Sequence, residues 1–297
     1  MCTDLLKIAI PLLFFAGCAP DKKEAPLRGQ AMGTSWSVTL HGKQPSISIT
    51  QISCVIEPIE AMASAWREES FLNRFNKSTS TAPIPCPPEI VEMVRFAIDL
   101  HQKTDGAYDI TVAPIVRALG FGPKNDVPSS PQTYGSRHLT VTDSTLQKAI
   151  PSLQIDLNSI AKGYAVDQIA DYLDAKGCSD YLIEFGGELR AAGKKWKIGI
   201  ERTDPASIGT IAEVIELQNQ SITTSGTYRH FKDSPKTSHI IDPRTEAPVK
   251  HNCLAVSVIS PTCMEADAWA TALLVLGSEA GQKLARQCGI QAIFPKN

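Results

Sequence analysis

Tyr181-Leu-Ile-Glu-Phe185-Gly-Gly-Glu188, Trp196-Lys-Ile-Gly-Ile-Glu201, Ile211-Ala-Glu-Val-Ile-Glu-Leu217 and Ser221-Ile-Thr-Thr224 succeed one another with no helical pattern between them. Each is a short run rich in β-branched or aromatic residues and bounded by turn residues, so strand follows strand directly. A doubly wound sheet would instead alternate strand and helix. Working outward, Leu254–Ser260 is a further expected strand, a helical region begins after Pro261, and Gln291–Phe294 closes the chain as a strand. Upstream, Leu153–Leu157 is expected as a strand and Asn158–Lys176 as a helix ended by Gly177. Thr34–Leu40 alternates as a strand does. Ile52, Ile56, Ile59 and Met62 set a helix within Thr50–Arg67. A second helix runs over Pro87–Lys103, with Pro in its first turn and a stop at Asp105-Gly106. Pro123–Gly135, rich in Pro and Ser, is expected as a surface loop. The fold class is α+β: one domain of mixed sheets with packed helices, spanning 28–297.

The N-terminus reads differently. Leu5–Gly17 is apolar apart from Lys7 and is shorter than the roughly 20 residues that span a bilayer. A short apolar run ending in small residues is a signal-peptide pattern. Ala16-Gly17-Cys18 then supplies the small residues before a cysteine that a lipoprotein signal peptidase cuts. Residues 1–17 are thus expected to be a lipoprotein signal peptide, with Cys18 lipidated and 18–27 forming a polar tether. A plain secretory signal with an incidental cysteine is the alternative; Phe15 and Asp4 are unusual for a lipobox and an n-region. The expected location is the bacterial cell envelope, as a periplasm-facing lipoprotein held in the inner or outer membrane by its lipid anchor.

With a formal net charge of -2 over 297 residues and no long basic run, nucleic acid is not an expected partner. Beyond Cys2 and Cys18, six cysteines remain and none forms a C-x-x-C pair, which argues against a zinc or thioredoxin-like site. Export permits disulfides among them without fixing a pairing.

Several segments could carry chemistry. In Thr262-Cys-Met-Glu-Ala-Asp-Ala-Trp-Ala-Thr271, Thr262 and Glu265 have capping-box spacing, so a helix starts there. Asp267 then lies in an apolar helix with Thr271 four residues on, both oxygens on one face. A lone buried carboxylate acquires a partner, a proton or a metal, and a hard cation such as Mg²⁺ suits these oxygens. The competing reading is an ordinary polar helix edge. In Asp156-Leu-Asn-Ser-Ile-Ala-Lys-Gly163, a strand gives way to a helix whose free amides, with Lys162, could receive an anion. A capped surface helix would look similar. Ser225-Gly-Thr-Tyr-Arg229 could face phosphate, and Phe185-Gly-Gly-Glu188 reads as a glycine turn. His239, at the start of an extended run ending at Asp242-Pro243, can accept a proton near neutral pH or simply serve a turn. Trp66 and Tyr108 could flank a planar ring or fill a core.

Taken in order, Met32-Gly-Thr34, Arg74-Phe75-Asn76, Asp105–Val116, Asp156–Asp167, Phe185–Leu189, Thr224–Phe231, His239–Thr245 and Met264–Gly277 resemble the FAD:protein FMN transferases, the ApbE family. The resemblance covers essentially the whole chain after the tether. It implies a single domain that takes FAD as substrate with Mg²⁺ as cofactor. Met32, Trp66, Ala107, Tyr108, Asp109, Asp156, Lys162 and Ile241 would contact FAD; Ser159, Asp267 and Thr271 would hold Mg²⁺; His239 would be the catalytic base. Trp66 stands where tyrosine is common, and Ala270 where some members carry another acid. The implied reaction moves FMN onto a Thr or Ser hydroxyl of an acceptor flavoprotein subunit of a membrane respiratory complex, releasing AMP. Two rivals share these residues: a Mg²⁺-dependent FAD pyrophosphatase and a non-enzymatic flavin-binding lipoprotein.

Overall fold

The computed structural model describes residues 25–121, 134–203, 207, 209–227, 231–232 and 237–295. The signal stretch 1–17 and the tether as far as residue 24 lie outside the described residues, as do most of the 123–135 loop and Arg229. Leu27, at the end of the expected tether, already opens a strand.

Nine strands build the framework: β1 (Leu27–Ala31), β2 (Thr34–Leu40), β3 (Tyr181–Phe185), β4 (Glu188–Ala192), β5 (Trp196–Glu201), β6 (Ile211–Leu217), β7 (Gln220–Gly226), β8 (Ala255–Ser260) and β9 (Gln291–Ile293). Seven of them form one sheet in the order β1-β2-β3-β4-β7-β8-β9, with every neighbouring pair antiparallel. β5 and β6 pair separately as a hairpin. The helices are α1 (Ile49–Ala63), α2 (Phe71–Lys77), α3 (Pro88–Lys103), α4 (Ala113–Ala118), α5 (Ala161–Ala175) and α6 (Cys263–Cys288). The α+β class expected from the strand-to-strand connections is the class observed.

Both faces of the sheet are covered. Tyr181, Ile183 and Phe185 of β3 enter a core shared with α1, α3, α5 and α6. Leu182, pointing the other way as strand periodicity requires, joins Leu189, Ala191 and Ile222 against Trp196, Ile198 and Ile200 of the hairpin. A strand buried on two sides has no solvent face to mark with polar residues. That is why β3 reads as an almost unbroken apolar run. At one end of the sheet, β1 turns into β2 through Met32-Gly33, both at positive φ (48° and 75°), the backbone of a two-residue hairpin turn. β3 turns into β4 through Gly186-Gly187, with Phe185 paired to Glu188. Because Trp36 pairs with Phe185, the two turns lie side by side.

Three expectations are corrected. Helix α1 ends at Ala63 instead of Arg67, because the Asn73 side chain donates to the carbonyls of Ala65 (2.9 Å) and Arg67 (2.8 Å) and holds that segment out of the helix. Leu153–Leu157 joins no sheet among the described residues. Its backbone is served partly by side chains: Ile155 N–H donates to Asn76 Oδ1, Asn76 Nδ2 donates back to Ile155 O (both 2.8 Å), and Lys148 Nζ donates to Leu153 O (3.0 Å), while Asp156 N–H donates to the Ile110 carbonyl (2.6 Å). Helix α5 begins at Ala161, three residues later than expected, after a turn from Leu157. All six described cysteines are free thiols. No helix among the described residues is long and apolar enough to cross a membrane.

Candidate active site

The site lies where the first turns of α5 and α6 meet. No side chain of its own caps α5, whose N-cap is Ile160. The Gly163 N–H instead donates to Asp267 Oδ2 of α6 at 3.1 Å. In return, Asp167 of α5 accepts from the Cys263 and Met264 N–H groups of α6, both at 2.8 Å. Each helix start therefore receives a carboxylate from the other helix, satisfying orphan amides and opposing the positive end of the helix dipole. Gly163 makes this crossing possible, since a β-carbon there would sit 2.5 Å from the Cys263 carbonyl oxygen. Thr262 caps α6 through the Glu265 N–H, as its spacing predicts, but the Glu265 carboxylate accepts from Ser260 Oγ at 2.7 Å and does not reach back.

Lys162 adds a cation beside this junction. Its ammonium meets Glu188 Oε1 at 2.5 Å. Burial alone would depress the lysine, but the charges of Asp267 and Glu188 outweigh it and hold Lys162 above its ordinary value. The Asp267 carboxyl is raised, first by burial and further by Glu188, with Lys162 and the Gly163 amide pulling the other way. Burial also raises Asp167, to about 6, against the two amides and Arg190 that favour its charge. Glu188 is 4% exposed, and its Oε2 is buried without a hydrogen-bond partner among the described residues.

Hydroxyls complete the cluster. Tyr108 OH and Ser159 Oγ are 2.9 Å apart, and the buried Tyr108 phenol is held above its usual value by burial and by Asp267, Asp156 and Asp109. Thr271, one turn after Asp267, faces Ser225 Oγ at 3.1 Å. Asp156 closes the loop before α5 by accepting from Asn158 N–H at 2.7 Å, and burial raises it. The donors here are carboxylate and hydroxyl oxygens, and two carboxylates surround a single ammonium. That chemistry fits a hard divalent cation, with Ser159, Asp267 and Thr271 as the oxygens expected to hold it.

The other residues named from sequence are distributed around this junction. Met32 occupies the hairpin turn beside the Gly186-Gly187 turn. Trp66 is 72% exposed, its ring free to stack on a planar ligand. Ala107 and Ile241 are buried. Asp109 is buried, with its carboxylate occupied by Thr111 N–H and Oγ1, Ser136 N–H and Oγ, and His101 Nδ1 at 3.2 Å. Those hydrogen bonds overcome burial and hold it below the usual carboxylate range. His239 is half-buried between Ser238 and Ile240, its ring centroid 6.0 Å from that of Phe121. The short strand Ile241–Asp242 that follows packs on α6. Sequence reading missed Glu188 and Asp167. The first was absorbed into a glycine turn; the second was simply the end of a motif.

The same fold is found in solved flavin transferases. The solved flavin transferase ApbE from Vibrio cholerae superposes with a TM-score of 0.82 at 36% identity, covering 91% of this chain and 92% of that one. The flavinyl transferase ApbE of Pseudomonas stutzeri, in its apo form, gives 0.80 at 33%, covering 92% of each. In sequence, the FAD:protein FMN transferase of Vibrio cholerae is 37% identical over 295 residues, 92% of this chain and 88% of the relative. The namesake from Escherichia coli K12 is 35% identical over 312 residues, 94% and 88%. The ApbE family model matches residues 32–294. The chain belongs to the ApbE family.

Proposed function

We propose that this chain transfers the FMN half of FAD to a serine or threonine hydroxyl of another protein and releases AMP. The observation that carries this reading is the acid–lysine–hydroxyl junction of α5 and α6, in a chain whose relatives at 37% and 35% identity are FAD:protein FMN transferases. In the reaction the acceptor oxygen bonds to the FMN phosphorus, the bond from that phosphorus to the bridging oxygen breaks, and AMP departs with that oxygen. The hydroxyl proton passes to His239, acting as general base.

Lys162 and the start of α5 bind the diphosphate link, and Asp156, held by Asn158, fixes the loop that approaches it. Trp66, Met32, Ala107, Tyr108 and Ile241 border the rest of FAD. With its carboxylate occupied, Asp109 acts there by fixing the loop that carries Tyr108. Ser159, Asp267 and Thr271 hold Mg²⁺, which when bound would neutralise charge on the diphosphate oxygens as AMP leaves. An N-terminal lipid anchor on Cys18 would keep the domain at the periplasmic face of the envelope, near acceptor subunits of membrane respiratory complexes.

The test combines the purified protein, FAD, MgCl₂ and a candidate acceptor. The acceptor is expected to gain the mass of one FMN less one water, with AMP released in equal amount. Equal AMP release without any acceptor would replace transfer by hydrolysis.

A further inference from the structure

We propose that Glu188 sets the charge of the site so that FAD is accepted only together with a divalent cation. The inference rests on the functional reading above and adds to it a residue with no place in it so far. Glu188 is the first residue of β4, placed by the Gly186-Gly187 turn beneath Lys162. One carboxylate oxygen holds the Lys162 ammonium, and the other is buried with no hydrogen-bond donor among the described residues. The seat is tight, since a β-carbon on Gly186 would lie 3.3 Å from that second oxygen and 2.7 Å from Thr34 Cγ2.

A lysine that needed only neutralising would be served by Asp267, whose charge already acts on it. With Glu188 added, two carboxyl groups, those of Asp267 and Glu188, stand against the single Lys162 ammonium at the spot where a diphosphate must bind. A buried carboxylate oxygen without a donor is costly, and it keeps the local field negative. Such a field repels a bare diphosphate and attracts a divalent cation. Glu188 is therefore a positioning residue: it holds Lys162 and makes FAD binding and cation binding depend on each other. By linkage, each must strengthen the other by the same factor.

The test compares wild type with Glu188→Gln, Glu188→Ala and Glu188→Asp. Flavin fluorescence reports FAD binding in EDTA, and MgCl₂ titration at fixed FAD reports cation demand. Glu188→Gln and Glu188→Ala are expected to bind metal-free FAD about tenfold more tightly than wild type, and to need about tenfold more Mg²⁺ for half-saturation. Glu188→Asp keeps the charge and should show no gain in metal-free binding. Opposite shifts of this kind do not arise from a loosened fold, which weakens both. Metal-free FAD binding in Glu188→Gln or Glu188→Ala no tighter than in wild type overturns the proposal. So does failure of both variants to fold, which would assign Glu188 to the fold alone. If wild type binds no FAD at all, the functional reading fails instead.

Discussion

A single methyl group on Gly163 is expected to disable this protein. The β-carbon of Gly163→Ala would stand 2.5 Å from the Cys263 carbonyl oxygen and 2.8 Å from both the Cys263 carbonyl carbon and Met264 Cα. Ordinary contact begins near 3.4 Å, so α5 and α6 must separate by about 0.9 Å. The obstacle is the backbone of a helical first turn and cannot rotate aside. Overpacking of this kind costs about 1–3 kcal/mol. Stretching the Gly163 N–H bond to Asp267 removes a charge-assisted hydrogen bond worth about 1.5–3 kcal/mol. Because the two losses overlap, we expect about 3 kcal/mol in total, a fall in Tm of roughly 10 °C for a domain of this size. Function should suffer more than stability, since a displacement on the order of 1 Å at a reacting centre costs about 100-fold in rate. Differential scanning calorimetry measures the first effect, and AMP release well below the variant's Tm measures the second. A Gly163→Ala protein with wild-type turnover and a Tm within about 2 °C of wild type would refute the account of the helix crossing.

Other outcomes follow from the same geometry. His239→Ala should lower transfer by about 10²–10⁴-fold while FAD still quenches normally on binding; loss of FAD binding would deny it the role of base. Trp66→Ala removes a ring that is 72% exposed, so stability should stay within about 0.5 kcal/mol of wild type while FAD affinity drops; unchanged affinity would remove Trp66 from the site. Asp167→Asn abolishes one of the two amide caps on α6 and should destabilise by about 1–2 kcal/mol, as denaturant titration would show. That penalty depends on pH. Burial pushes the Asp167 carboxyl up to about 6 in the fold, so the native state binds its proton more tightly than the unfolded chain. Its contribution is then largest at low pH and shrinks as pH rises through 6, and the gap between wild type and Asp167→Asn should be about 1 kcal/mol wider at pH 5 than at pH 8. A gap that widens with rising pH would contradict the burial argument.

What could be read from the chain and what could not divides on a physical line. β2, β3, β5 and β6 begin and end where their residue patterns place them, because alternation and turn residues are local signals. Leu153–Leu157 has the composition of a strand, yet its partners are the Asn76 and Lys148 side chains and the Ile110 carbonyl, which no local pattern discloses. Asp267 and Thr271 stood out because a carboxylate in an apolar helix violates burial. Glu188 did not, since an acid after two glycines looks like any turn. Its meaning comes from Lys162, 26 residues away in sequence. Asp167 escaped for the same reason, its two amides lying 96 and 97 positions downstream. Irregular composition announces a residue under strain from its own element; it is silent about a residue serving a distant one.

The exchange of carboxylates between α5 and α6 joins positions 104 residues apart, and this has a consequence for biogenesis. A polypeptide that has emerged only as far as residue 260 has neither the acid for one amide nor the amides for the other acid. Closure of the junction is thus a late event: the two helix starts can exchange their carboxylates only once the last helix has docked.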